Sequence, residues 1–158
     1  MRKMLVVVSA LALVLGVSTA VLAAAGSNNS SLDLQASKFT TTTQKTSSTT
    51  FRAVRGLSGL TICALNQVTA DLSIQVSGAP ASFRIRQDGG PLIEPGTIRF
   101  APAGLHDSSA FIFIANAATF EANDNHVFDV EWRSATGRSS TLERGTLNLQ
   151  YEAGTQAC

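Results

Sequence analysis

One short run of the chain places histidine, carboxylate and hydroxyl groups side by side, at His106-Asp107-Ser108-Ser109. A serine-hydrolase triad uses these groups, with the histidine bonded to a serine and oriented by a carboxylate. Adjacent residues on a strand point to opposite faces, however, so neighbours in sequence do not converge in space. The chain also has no Gly-x-Ser-x-Gly motif of a nucleophile elbow. We therefore predict a solvated loop here, and no catalytic residue.

The densest set of metal-capable groups is formed by Glu121, Asp124, Asn125 and His126. Oxygen-rich loops bind Ca²⁺, but six or more oxygen ligands are normal, and this loop lacks the spaced acidic residues of an EF-hand. The composition favours a turn capped by its own side chains. We predict no metal and no cofactor, with Ca²⁺ in this loop as the open alternative.

The strands that would position these side chains come after a hydrophobic N-terminal segment. Arg2 and Lys3 precede the apolar run Met4–Val17, and small residues follow up to Ala25. This pattern is typical of a secretory signal peptide, here over residues 1–25. A retained membrane anchor is the alternative, because an apolar run of about 20 residues can span a bilayer. The basic residues stand only on its N-terminal side, which favours cleavage.

Cleavage at Ala23 or Ala25 makes the mature protein secreted and extracellular, with no membrane span left. It also removes two of the twelve basic residues, so that the formal net charge changes from +1 to −1. A near-neutral surface gives no electrostatic reason to expect nucleic acid or an anionic membrane as partner. The expected partners are thus an unknown protein or glycan, and Arg84 and Arg86 are expected on a solvated strand face.

The chain has two cysteines, Cys63 and Cys158. In an exported protein an even pair predicts a disulfide, which would tie the end of the chain to an early strand. A loop of that length stabilises a fold by up to about 4–5 kcal/mol in the chain-entropy model. An intermolecular bridge through Cys158 is the alternative, and metal binding by two such distant cysteines is disfavoured.

A change in composition separates residues 26–48 from the rest. Ser, Thr, Asn and Gln dominate this segment, so it buries little and is either a flexible lead-in or an edge strand. Residues 49–158 form the predicted domain, in which apolar and polar residues alternate with period two. Turn signals such as Asp88-Gly89-Gly90 separate the alternating runs. The expected runs are 60–65, 71–77, 82–86, 97–100, 110–115, 128–133 and 147–152.

These runs predict an all-β fold, an antiparallel, jelly-roll-like β-sandwich of about eight strands. The unbroken apolar run Phe111-Ile112-Phe113-Ile114 indicates burial on both faces. Trp132 alternates with Phe128 and Val130, so we expect it between the two sheets rather than on a sugar-binding surface. Phe120 is the one aromatic residue expected in a loop.

Three segments carry a family resemblance: Thr49–Leu57, His126–Ser134 with Gly137, and Arg144–Leu149. They resemble the opening strand and the two final strands of bacterial exported or phage-tail jelly-roll domains of the tumour-necrosis-factor-like head type. The resemblance implies a jelly roll that binds or assembles, often as a trimer. The chain departs from that pattern because no collagen-like or coiled-coil stalk precedes the head.

Three functions remain, in order of expectation. The first is a secreted structural or interaction module without catalytic role that can self-assemble into a homo-oligomer. The second is a secreted carbohydrate- or small-ligand-binding β-sandwich, and the third is a hydrolase with an unrecognised site.

Overall fold

The computed structural model describes residues 33–90, 92–115 and 124–153, and these contain strands and turns but no helix. The predicted leader, residue Glu121 of the predicted metal loop, Phe120 and Cys158 lie outside the described residues. Nine strands follow one another in the described part: β1 Asp33–Thr40, β2 Gln44–Thr46, β3 Arg52–Ala53, β4 Leu60–Gly78, β5 Ala81–Gln87, β6 Ile98–Phe100, β7 Asp107–Ala115, β8 Asp124–Ser134 and β9 Ser140–Ala153.

Two antiparallel sheets pack together, which confirms the predicted all-β sandwich. Sheet A contains β1 and β2 on one side of β9, then residues 68–78 of β4, then β7. Sheet B contains residues 60–64 of β4 together with β3, β8, β5 and β6. The hydrogen-bonded ladder is continuous because β4 takes part in both sheets.

The strand β4 contains two of the predicted runs, 60–65 and 71–77, which were expected to be separate strands. It has 19 residues, and no glycine or proline interrupts it before Gly78. Along its whole length the even-numbered side chains whose burial is described, from Leu60 to Val76, face the core. Gly78 then turns the chain from sheet A into sheet B, with φ of 83°, a backbone conformation that suits glycine.

The core lies between the inner faces of the sheets and is built by this alternation. The ring of Trp132 is buried as predicted, and it stacks on Phe83 with the ring centres 6.1 Å apart. The largest fully buried side chains come from both sheets and, with Leu57, from the turn between β3 and β4: Phe83, Phe113, Phe128, Leu57, Leu72, Ile85, Leu142, Leu147 and Leu149.

A β-bulge in β9 decides which side chains share a face. Gln75 pairs with Arg144 and Val76 pairs with Leu142, so Glu143 is an extra residue in β9. Leu142 and Leu147 therefore both reach the core although one is even-numbered and the other odd-numbered.

The strand β7 corrects one sequence prediction. The run from Phe111 to Ile114 is not buried on both faces, because Ile112 is 65% and Ile114 37% exposed. Phe113 points into the core, whereas Ile112 points to the outer face of sheet A. In the described part of the chain no element covers that outer face. Successive side chains of the apolar run therefore alternate between the core and solvent.

Candidate functional site

The outer face of sheet A carries three exposed large apolar side chains, those of Phe39, Ile112 and Ile114. Phe39 on β1 is 73% exposed and lies at one edge, and Ile112 on β7 lies near the other. Phe39 faces outward because its neighbour Lys38 faces the other way, where Nζ donates hydrogen bonds to the carbonyls of Ser58 and Gly59 at 2.7 and 2.9 Å. Large apolar side chains exposed on one face are a common mark of a binding surface.

A groove of about 580 Å³ begins at Phe39 and crosses the sheet; we call it the Phe39 groove. The strand register places Phe39, Thr146, Ser73 and Ala110 in one row across four strands. Small side chains in this row keep the groove open, and hydroxyl groups line it. Its volume is within the range of small-molecule pockets, and aromatic walls with a few polar groups are typical of such sites.

Gly145 supports the floor of this groove. A Cβ atom at Gly145 would lie 2.8 Å from Cδ1 of the buried Leu57 and 3.4 Å from the carbonyl oxygen of Ser73. A side chain at this position would push Leu57 out of its place in the core. Only glycine lets β9 and β4 approach each other over Leu57 without this clash.

His106 takes part in a surface cluster rather than in a catalytic triad. Its Nδ1 lies 2.8 Å from Oε1 of Glu143, and the hydroxyl of Ser77 donates to the same oxygen at 2.8 Å. The carboxylate thus stands between histidine and serine, whereas a triad needs the histidine between them. The hydrogen bonds from His106 and Ser77 lower the pKa of Glu143. The bulge in β9 places Glu143 here.

The other members of the predicted His106 loop are also separated. Asp107 accepts hydrogen bonds from the backbone amides of Ala103 and Gly104, so its carboxylate caps the preceding turn. Ser108 and Ser109 follow on β7 and point to opposite faces. The structure does not bring these four residues together as an active site.

The second histidine, His126, is buried and pairs with a turn. Its Nδ1 lies 2.8 Å from Oδ2 of Asp88, and Oδ1 of Asp88 accepts a hydrogen bond from the Val127 amide at 2.7 Å. Partial burial acts to raise the pKa of Asp88, but the hydrogen bonds from His126, Val127 and Gln87 outweigh it, so the pKa lies below its usual value. The pair of Asp88 and His126 thus joins the turn after β5 to β8.

The described part of the predicted metal loop contains Asp124, Asn125 and His126, which begin β8. Within the described ranges, no group of three or more His, Cys, Asp or Glu side chains could hold a metal ion. Glu121 lies outside those ranges, so calcium binding in this loop stays untested.

Arg84 and Arg86 do not lie on a solvated face as expected. Their side chains are 18% and 30% exposed, and both Nε atoms bind Oε2 of Glu131, at 2.6 and 3.3 Å. The ring of Phe51 lies 3.9 Å from the Arg84 guanidinium and 4.6 Å from that of Arg133. Register explains the pairing, since Glu131 on β8 stands opposite Arg84 on β5. This arginine–glutamate cluster is a structural element of sheet B.

Cys63 is half-buried on β4, opposite Asn125 of β8. Its predicted partner Cys158 lies outside the described residues, so the pairing stays a prediction.

Sequence reasoning missed Phe39 as a candidate site residue. It lies in the Ser/Thr-rich segment, of which residues 33–40 and 44–46 form strands paired with β9. Alternation in that segment was the available signal, but it did not tell which face of the strand would remain uncovered.

The described residues include no helix long and apolar enough to cross a membrane. In comparisons with known proteins, no protein-family model and no curated protein matches this sequence significantly.

Proposed function

We propose that this chain is an exported interaction module without a catalytic role, which recognises its partner through the outer face of sheet A. The observation that carries the proposal is the exposure of Phe39 and Ile112 on that face. Leaving such side chains in water forgoes about 1.5–3 kcal/mol each relative to full burial. A partner that covers both recovers part of this free energy.

Export is supported by the leader over residues 1–25 and by the placement of Cys63. Ala153 at the end of β9 pairs with Ala64, the residue that follows Cys63. Only four residues separate Ala153 from Cys158, and an extended chain spans about 3.3–3.6 Å per residue. An intramolecular disulfide therefore needs only a short return of the chain, and it would hold the C-terminus on the sandwich.

Self-assembly is the form of interaction that β7 favours. The amide and carbonyl of Ile114 bind Glu94, on the side of β7 away from β4, at 2.7 and 3.0 Å. By the period of two, the backbone groups of Ser108, Ala110 and Ile112 also point to that side. Among the described residues, 107–113 pair only with β4. A second copy can pair antiparallel with this edge, because its uncharged residues 108–112 bring no like charges together.

Light scattering on the size-exclusion eluate of the exported protein tests this assembly. We expect a concentration-dependent oligomer and a monomer for Ile112→Lys, because the lysine would place like charges close to the two-fold axis of the pair. Ser37→Lys is the matched control, because Ser37 lies in the same cross-strand row on β1. A wild-type monomer at every concentration would contradict self-assembly.

Carbohydrate binding is the second candidate, and the Phe39 groove is the observation that favours it. An exposed aromatic ring can stack on the C–H face of a sugar while hydroxyl groups of the floor bond to sugar hydroxyls. A glycan array with wild type, Phe39→Ala and Phe39→Tyr tests this candidate. Binding that Tyr keeps and Ala loses would support it, and an array without hits would exclude it for the glycans printed.

A further inference from the structure

A second cavity lies where β2 of sheet A faces β3 of sheet B. It has a volume of about 360 Å³ and lies over the edge of the buried Trp132; we call it the β2–β3 cleft. Gln44 joins its two walls: Nε2 donates to the Arg55 carbonyl and Oε1 accepts from the Arg55 amide, both at 3.0 Å. The amide side chain thus imitates a pair of sheet hydrogen bonds, which gives the cleft a fixed width.

Three basic residues line the cleft, Lys45, Arg52 and Arg55. All three residues are exposed, and none of the described residues that line the cavity is acidic. Within the part of the chain that the structure describes, none of the three forms a salt bridge. Three like charges at one cavity repel one another. All three charges would attract an anion in the cleft, and this attraction would offset their mutual repulsion.

The uncharged lining narrows the class of anion. Thr42, Thr43 and Thr46 also line the cavity, and a threonine hydroxyl both donates and accepts hydrogen bonds. Such groups fit a ligand that itself carries hydroxyls beside its negative charge. The guanidinium groups of Arg52 and Arg55 can bind a planar carboxylate or a sulfate with two parallel hydrogen bonds each.

We propose that the β2–β3 cleft binds the anionic group of an acidic sugar chain, a uronic acid or a sulfated sugar. The basic side chains hold the charged group, and the threonine hydroxyls bond to the hydroxyls of the same ring. The cleft shares no lining residue with the Phe39 groove, so the proposal does not depend on the function proposed for the outer face of sheet A.

Calorimetric titration of the exported protein at low salt tests the proposal. The probes are a uronic-acid hexasaccharide, a sulfated hexasaccharide, a neutral hexasaccharide and inorganic sulfate. We expect an acidic hexasaccharide to bind and the neutral one not to bind, with an affinity that falls as salt is added. Preference between the two acidic probes identifies the anionic group.

Arg52→Gln and Arg55→Gln should each weaken the binding about tenfold, as the loss of one charge-assisted contact does. Arg138→Gln is the matched control: it removes the same charge from an exposed residue in the turn between β8 and β9. Thermal unfolding of each variant checks that the fold is kept. Phe39→Ala should leave this binding unchanged, which separates it from any binding in the Phe39 groove.

Four results would overturn the proposal. These are no binding of either acidic probe, equal binding of the neutral probe, equal weakening by Arg138→Gln, and binding of inorganic sulfate as tight as that of the sugars. The last result would show a site for a bare anion.

Discussion

Two groups of basic side chains on this molecule have opposite surroundings. On sheet B, Arg84 and Arg86 share the carboxylate of Glu131, and Phe51 covers one guanidinium. In the β2–β3 cleft, Lys45, Arg52 and Arg55 line a cavity to which no residue in the described part of the chain brings a carboxylate. The first group has its partners within the fold, whereas the second leaves its charge for a ligand. The difference shows that residue type alone does not separate a structural cation from a binding one.

The pairing on sheet B follows from strand register. Glu131 stands directly opposite Arg84 on neighbouring strands, and cross-strand pairs of opposite charge stabilise a sheet. The walls of the cleft belong to two different sheets and meet through the Gln44 side chain instead. No register applies between them, so no acidic residue is placed opposite the cations.

The largest effect is expected from removing the shared carboxylate. Glu131→Gln should lower the free energy of unfolding by about 2 kcal/mol, because two half-buried guanidiniums lose their charged acceptor. Lys45→Gln should change it by less than about 0.5 kcal/mol, since the lysine is exposed and forms no salt bridge with any residue that the structure describes. Urea denaturation of both variants measures the contrast, and equal effects would remove the distinction between the two groups.

A carboxylate added to the cleft should give its basic residues an acidic partner within the fold, as Glu131 is for the arginines of sheet B. Thr43→Glu puts an acidic side chain among the cations, so we expect at least about a tenfold loss of affinity for an acidic hexasaccharide. Ser108→Glu carries the same charge to the far side of the Phe39 groove, on β7, and should leave the affinity nearly unchanged. Titration calorimetry compares the two, and similar losses would point to net charge as the cause.

The ring of Phe51 should contribute less than Glu131. Phe51→Leu keeps apolar volume but removes the aromatic face that lies between Arg84 and Arg133. We expect a loss of about 1 kcal/mol, the usual size of a cation–π contribution at a partly exposed site. Thermal and urea unfolding measure it, and an unchanged stability would mean that Phe51 acts only through its volume.

The smallest expected effect concerns the stability of the fold at acidic pH. The pKa of Asp88 is lowered in the folded protein, so its ionised form favours folding. This contribution is complete above the pKa of the unfolded chain, near 3.8, and is lost as the pH falls through the lower folded pKa. Asp88→Asn should therefore flatten the fall in stability below about pH 4. Urea unfolding at several pH values checks this, with Asp107→Asn, a turn carboxylate without a histidine partner, for comparison.

Much of the fold could be predicted because its cause is local. Alternation with period two predicted strands around Leu72, Phe83 and Trp132, and the structure confirms them. The exposure of Ile112 could not be predicted, because a wholly apolar run does not tell which of its faces another element covers. The bulge at Glu143 was likewise not visible, since it depends on how β9 aligns with β4.

The candidate sites were less accessible to sequence reasoning. Strand geometry predicted that His106 and its neighbours would not converge, but the loop predicted there was wrong for Asp107, Ser108 and Ser109, which lie on β7. Phe39 and the cleft were missed, because the Ser/Thr-rich segment has few apolar residues and gives no pattern by which to place them. Lys45 and Arg52 are near one another in sequence, but a cavity between them exists only after β2 and β3 join different sheets.

By itself the sequence determined the fold class, because the spacing of apolar residues sets which side chains can share a face. It also determined that the rings of Phe83 and Trp132 belong to the core, since burying them stabilises the fold most. Only the tertiary structure decided which faces remain in water, which charges find partners and where cavities form. These properties depend on register, on a single bulge and on the meeting of two sheets, and such contacts join residues that are distant in sequence.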